Sequence, residues 1–161
     1  MRRYYYSALI IVMFLMSCKQ DRTVDVTVMP EETTAGKGTF GCVIEGWLYV
    51  GGRYYVPGQP ASSSISFRYD ATNDKMNVEV KVKDVGKGYE FVAFTINAPV
   101  DKNNCTFTNA RWKDILSGKS DIPLGDGIVE ITRFDKTAKI ISGRNLRGGT
   151  IEHGQFDVIF Q

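Results

Sequence analysis

The chain has 161 residues, 43% of them hydrophobic, with 20 Lys+Arg against 18 Asp+Glu and a single histidine. That length suits one domain, and a near-neutral balance without any Lys/Arg run excludes an electrostatic footprint for nucleic acid or anionic lipid. One imidazole excludes a multi-histidine zinc site.

Arg2 and Arg3 precede Ala8 to Met16, an unbroken apolar run. A bilayer-spanning helix needs roughly 20 such residues, so this run is too short to cross and has the layout of an export signal. It ends at Leu15-Met16-Ser17-Cys18, which resembles the lipobox of bacterial lipoproteins. That resemblance implies cleavage before Cys18, a diacylglycerol on its thiol and acylation of the new amino terminus. One acyl chain holds a protein only marginally, at about 0.8 kcal/mol per buried CH₂, whereas two or three hold it durably. Removing residues 1–17 leaves 144 residues with 18 basic and 18 acidic side chains, so the basic excess belongs to the signal.

Residues 18–37 read as a lipidated tether, with KQDR, PEETT and AGKG and few large apolar residues. As a flexible coil, Lys19 to Lys37 would reach on the order of 25 Å. Lys19-Gln20-Asp21 loosely resembles the signals that send some lipoproteins to the cell surface, which leaves both faces of the outer membrane open.

From residue 38 to 161 the pattern is β. Phe40, Cys42 and Ile44 alternate, and Trp47 to Val50 runs into Gly51-Gly52. Ser64 to Asp70 places Ile65, Phe67 and Tyr69 on one face. Lys75 to Asp84 is the clearest strand, with Met76, Val78, Val80 and Val82 inward and charged or polar residues outward. Tyr89 to Asn97 is apolar on both faces, as a central or covered strand is. A strand is expected near Cys105 to Ala110 and one helical turn around Trp112 to Leu116. At the end of the chain, Phe156, Val158 and Phe160 face inward between Gln155 and Asp157. Ala71 to Asp74, Gly86 to Gly88, Asp135 to Thr137 and Arg147 to Gly149 supply turns, with Asp135 placed to accept backbone N–H groups of its own turn. Such short connections make sequential antiparallel neighbours. The expected fold is all-β, an antiparallel barrel or sandwich of about eight to ten strands.

Cys42 and Cys105 form an even pair once Cys18 is acylated, and both lie on inward faces. A disulfide between them would contribute about 4 kcal/mol by closing a loop of about 60 residues. Two separate buried thiols acting as small hydrophobes is the alternative. Trp47, Tyr49, Tyr54 and Tyr55 form an aromatic surplus that serves either the core or a surface for glycans or apolar ligands.

No catalytic constellation is visible. His153 reads as an exposed strand residue, Ser62-Ser63-Ser64 lacks the strand-to-helix context of a serine nucleophile, and the two Gly-Lys-Gly stretches lack phosphate-loop spacing. No cofactor is called for. The reading is a non-enzymatic binding module. Its alternatives are a lipocalin-like carrier of a small apolar molecule and an assembly component of an envelope complex.

Three segments carry a resemblance: TFGCVIEGWLYVGGRYY (Thr39 to Tyr55), GIVEITRFDKTAKIISG (Gly127 to Gly143) and HGQFDVIF (His153 to Phe160). Together they are similar to a family of small Bacteroidota lipoproteins of unknown function. The resemblance implies an all-β lipoprotein of the Gram-negative envelope and carries no catalytic residues. After Ile141-Ser142-Gly143 the family continues with an aromatic-rich strand, whereas this chain has Arg144-Asn145-Leu146.

Overall fold

The computed structural model describes residues 28–54, 62–63, 65–84, 88–100, 103–114 and 119–161. Among them every regular element is a strand. In chain order these are β1 (Thr39–Ile44), β2 (Trp47–Gly51), β3 (Arg53–Tyr54), β4 (Ser62–Ser63), β5 (Ile65–Asp70) and β6 (Lys75–Asp84). Then come β7 (Gly88–Asn97), β8 (Cys105–Asp114), β9 (Lys119–Pro123), β10 (Gly127–Asp135), β11 (Ile140–Arg147) and β12 (Ile151–Ile159).

Ten of these strands form one antiparallel sheet, and it closes. Going round, the order is β10, β11, β12, β1, β2, β6, β7, β8 and back to β10, so the expected alternatives resolve to an eight-stranded barrel with β5 and β9 added. Closure removes most of the unpaired edge that an open sheet would offer. Two of the eight wall positions are composite. β2 pairs with Lys83 and Val82 of β6, and β5 takes over the same edge from Val80 to Lys75. Between them the chain leaves the wall to form the separate β3–β4 pair. In the same way β9 and β10 share one edge of β8, joined by a hydrogen bond from Leu124 N to Ala110 O at 2.8 Å. The C-terminus is stitched to β5, with Gln161 exchanging backbone bonds with Phe67 and Tyr69 at 2.9 and 2.8 Å.

The period of two decides the core. Met76, Val78, Val80 and Val82 are all buried, facing Phe40, Cys42 and Ile44 of β1 and Val92, Phe94 and Ile96 of β7. An eight-stranded barrel is about wide enough for side chains to fill it. Aromatic rings do so here. Phe40 meets Phe94 across the lumen with centroids 6.3 Å apart, and Phe94 meets Phe107 at 5.6 Å. One end is closed by Tyr69, Phe134 and Phe160 in mutual edge or tilted contact, with the Lys136 ammonium 4.8 Å above the Tyr69 ring. Each fully buried Phe contributes roughly 1.5–3 kcal/mol.

Turn chemistry follows the expected residues. Asp135 Oδ1 accepts from the N–H groups of Thr137 and Ala138 at 3.0 and 2.8 Å. Asp70 does the same for Thr72 and Asn73 in the β5–β6 turn, and its carboxyl is held below the usual range, first by the Asn73 side-chain amide donating to Oδ2 at 2.7 Å and then by these N–H groups.

Two expectations are corrected. Of the helical turn expected around Trp112 to Leu116, Trp112 to Asp114 are strand instead, because β8 runs on through Asp114, and the rest lies outside the described residues. A bulge makes this continuation productive: Asn109 takes a positive φ of 56°, its N–H bonds Asp126 Oδ1 at 3.0 Å, and Ala110 and Trp112 turn toward the core. The candidate disulfide is not formed either, and Cys42 and Cys105 are both buried and unbridged. They stand on β1 and β8, four strands apart in either direction round the barrel, whereas a disulfide needs Cα atoms within about 7 Å. Burial pushes the Cys42 thiol up to about 12.

Candidate functional site

On the outward face of β5 to β8 the side chains lie in register across four strands. Ser66, Glu79, Ala93 and Arg111 form one row across the four strands. Arg68, Asn77, Thr95 and Thr108 form the next, with the bulged Asn109 beside it. Cross-strand neighbours in such rows stand about 4.5–5.5 Å apart at Cβ, close enough to act on one ligand. Ala93 is the smallest of them and only 8% exposed, so it forms the floor of a depression walled by longer side chains. The result is an open groove of about 330 Å³ with Arg68 on the β5 side and Arg111 on the β8 side.

Polar groups dominate it. The Thr95 hydroxyl donates to Asn77 Oδ1 at 3.3 Å, orienting both side chains. Arg111 lies 3.6 Å and Lys113 3.7 Å from Asp121 Oδ1, exposed pairs that hold their charges loosely. The backbone beneath the groove is spent on the β5–β6–β7–β8 ladders, so only side chains can recognise what enters.

A second feature lies on the outside of β1, β11 and β12. Residues 29–37 form a strap over this wall, clasped by Asp157. The Asp157 carboxylate accepts from the Thr33 hydroxyl, from Ser142 Oγ at 2.7 Å, and from the N–H groups of Ala35, Gly36 and Lys37 at 3.1, 2.8 and 3.1 Å. Burial alone would raise its pKa, but these donors outweigh burial and hold the carboxyl below the ordinary range. Gln155 Nε2 donates to the Pro30 carbonyl, and Arg133 Nη1 donates to the Thr34 carbonyl at 2.6 Å. Gly41 makes the seat: a Cβ there would stand 2.5 Å from Pro30 Cδ and 2.6 Å from Met29 Sδ. The described part of the stretch expected to be tether therefore lies against the barrel from Met29 onward.

Of the aromatic candidates, Trp47 is 64% exposed beside the β1–β2 turn, while Tyr49 is buried against Trp112 at 5.4 Å. Tyr54 contributes backbone pairing with Ser62. Tyr55 lies outside the described residues, as do Cys18, the signal segment and the first part of the tether. Tyr49 thus serves the core, whereas Trp47 stands exposed at the turn. His153 is exposed on β12. Among the described residues no group of three His, Cys, Asp or Glu side chains converges as a metal site.

Sequence reasoning passed over Arg68, Arg111 and Asp157. Each sits at an outward position of an alternating strand, where charge is the ordinary solvated choice. The available signal was Ala93 amid the larger side chains of Tyr89 to Asn97, since a small outward residue there makes a floor. No protein-family model, curated protein or solved structure matches the chain.

Proposed function

We propose that this chain is a non-enzymatic binding module of the Gram-negative envelope, anchored at the outer membrane by acyl chains on Cys18, which takes a polar ligand in the groove across β5 to β8. The observation that carries the reading is the groove itself, with a small-residue floor, two guanidinium groups on opposite walls, and amides, hydroxyls and the Glu79 carboxylate between them. The lipobox-like end of the apolar run and the resemblance to Bacteroidota lipoproteins support the location. Glycans and envelope proteins are the partner classes with the polar surface such a groove suits.

Carriage of a small apolar molecule is compatible with a closed barrel. It would require Phe40 and Phe94 to part, because their rings already meet where a ligand would lie. The surface groove needs no such rearrangement and is the better supported of the two.

The full lipidated chain in mild detergent tests the reading. Screened against arrayed glycans and purified envelope fractions, the wild type should retain a ligand that Ala93→Trp does not, with both proteins melting at similar temperatures. Equal retention by Ala93→Trp would remove the groove from the account. Mass spectrometry of the native amino terminus checks the anchor, and an unmodified residue 18 with the preceding peptide attached would overturn it.

A further inference from the structure

We infer that the groove across β5 to β8 is built for an acidic oligosaccharide, a chain of hydroxyl-rich rings carrying carboxylate or phosphate groups. This rests on the binding reading above and narrows its ligand class.

Three observations converge. The first is charge. The charged side chains lining the groove are two cations, Arg68 and Arg111, and one anion, Glu79, with Lys113 beside Arg111 on β8. At the β8 side Asp121 is shared by Arg111 and Lys113, and Asp126 accepts from the Asn109 backbone N–H at 3.0 Å. Guanidinium groups at both walls match planar carboxylate or phosphate groups on a ligand lying across the strands.

The second is the mixture of neutral groups between the arginines. Ser66, Asn77, Thr95 and Asn109 can each donate and accept, as sugar hydroxyls do. Glu79 beside the Ala93 floor is exposed and, as a carboxylate, takes donors rather than acceptors. Sugar hydroxyls supply such donors.

The third observation excludes rivals. An extended acidic peptide is held chiefly through its backbone, at a sheet edge, and this groove lies on a sheet face whose backbone groups are already paired. A single-stranded nucleic acid needs aromatic platforms for its bases, and apart from Phe94 of the inward face the lining contains none. A polyanionic sugar needs neither.

The test uses the full chain in mild detergent, titrated calorimetrically with three probes: an oligogalacturonate, its fully methyl-esterified counterpart, and a sugar phosphate. The two oligosaccharides share rings and linkages and differ in the ester methyl groups, which remove the charge. The acidic form should bind, weakening with added salt, and the ester should bind about tenfold more weakly or less. Arg68→Gln and Arg111→Gln should each weaken the acidic form about tenfold and leave the ester unchanged. Binding of the sugar phosphate alone, lost in the same variants, would place the anion on phosphate rather than carboxylate and keep the class. Equal binding of acid and ester, abolished for both by Ala93→Trp, would overturn the acidic class while keeping the groove. Binding unaffected by Ala93→Trp would overturn both. Failure of all three probes to bind, with Ala93→Trp still abolishing retention of an envelope ligand, would overturn the acidic-sugar class alone.

Discussion

The Ser142 hydroxyl donates to Asp157 Oδ1 at 2.7 Å across the β11–β12 ladder, on the outside of the barrel and beneath the strap. The pair links the wall to a segment more than a hundred residues distant in sequence, because the same carboxylate also collects the Thr33 hydroxyl and three strap N–H groups. Asp157→Asn keeps the shape but replaces one acceptor oxygen by a donor and removes the charge. It should destabilise the fold by about 2 kcal/mol, the scale of hydrogen bonds to a charged group. Limited proteolysis should then cut between residues 29 and 37 before the barrel unfolds. Resistance equal to wild type would show that the strap is held by its other contacts.

The same carboxylate sets an acid dependence. Its pKa is lowered in the folded protein, so the stability it contributes is present above the unfolded carboxylate value, near 3.9, and is lost as pH falls toward the folded value. Asp70, Asp135 and Glu130 are also lowered, the first two chiefly by turn hydrogen bonds and Glu130 chiefly by Arg144. Urea unfolding should therefore show stability nearly flat above about pH 5 and falling below about pH 4. Asp157→Asn should make the acid limb shallower. A parallel displacement of the whole curve would mean that the carboxyl is not perturbed.

Gly41 offers a separate handle on the strap. A methyl group at this position collides with Pro30 and Met29 but faces away from the core side chains Phe40 and Cys42. Gly41→Ala should raise hydrogen exchange at Ala35, Gly36 and Lys37 while leaving the β6–β7 ladder protected. Uniform loss of protection would place the damage in the barrel instead.

Unbridged thiols buried on opposite sides of a filled lumen should be inert. In the native chain, Cys42 and Cys105 should resist alkylation, and both should react once denatured without any reductant. Burial holds the Cys42 thiol near 12, so even moderately alkaline buffer should leave it protonated. A mass two hydrogens short, recovered by reduction, would establish the bridge that the geometry denies.

Phe94→Ala should cost about 3–5 kcal/mol and leave a cavity where its ring meets Phe40 and Phe107. The opened lumen should then take a small apolar probe such as benzene, seen as a rise in melting temperature with ligand. If the wild type shows an equal rise, the lumen is already accessible and the carrier reading gains ground.

Alternation made the strands legible wherever one face met the core and the other met water. Lys75 to Asp84 was readable end to end, because four aliphatic side chains on one face have no other reason to recur at every second position. Asp135 and Asp70 were equally local, each needing only its own turn. Reading failed where a distant segment changed the environment. Gln155 and Asp157 alternate as a wet face should, yet they are 6% and 1% exposed under a strap from the other end of the chain. Trp112 invited a helical turn because the bulge at Asn109 reverses the inward parity of β8, and the anchor of that bulge, Asp126, lies 17 residues on.

The amino-acid pattern by itself determined the β class, the inward residues of the regular strands and the turn chemistry, since each depends on neighbours within a few positions. Tertiary structure alone decided that the sheet closes, that two wall positions are composite and that the cysteines stand apart. It also decided that Arg68 and Arg111 face one groove. These follow from register between strands remote in sequence, where one-dimensional periodicity says which side a residue faces but not what it faces.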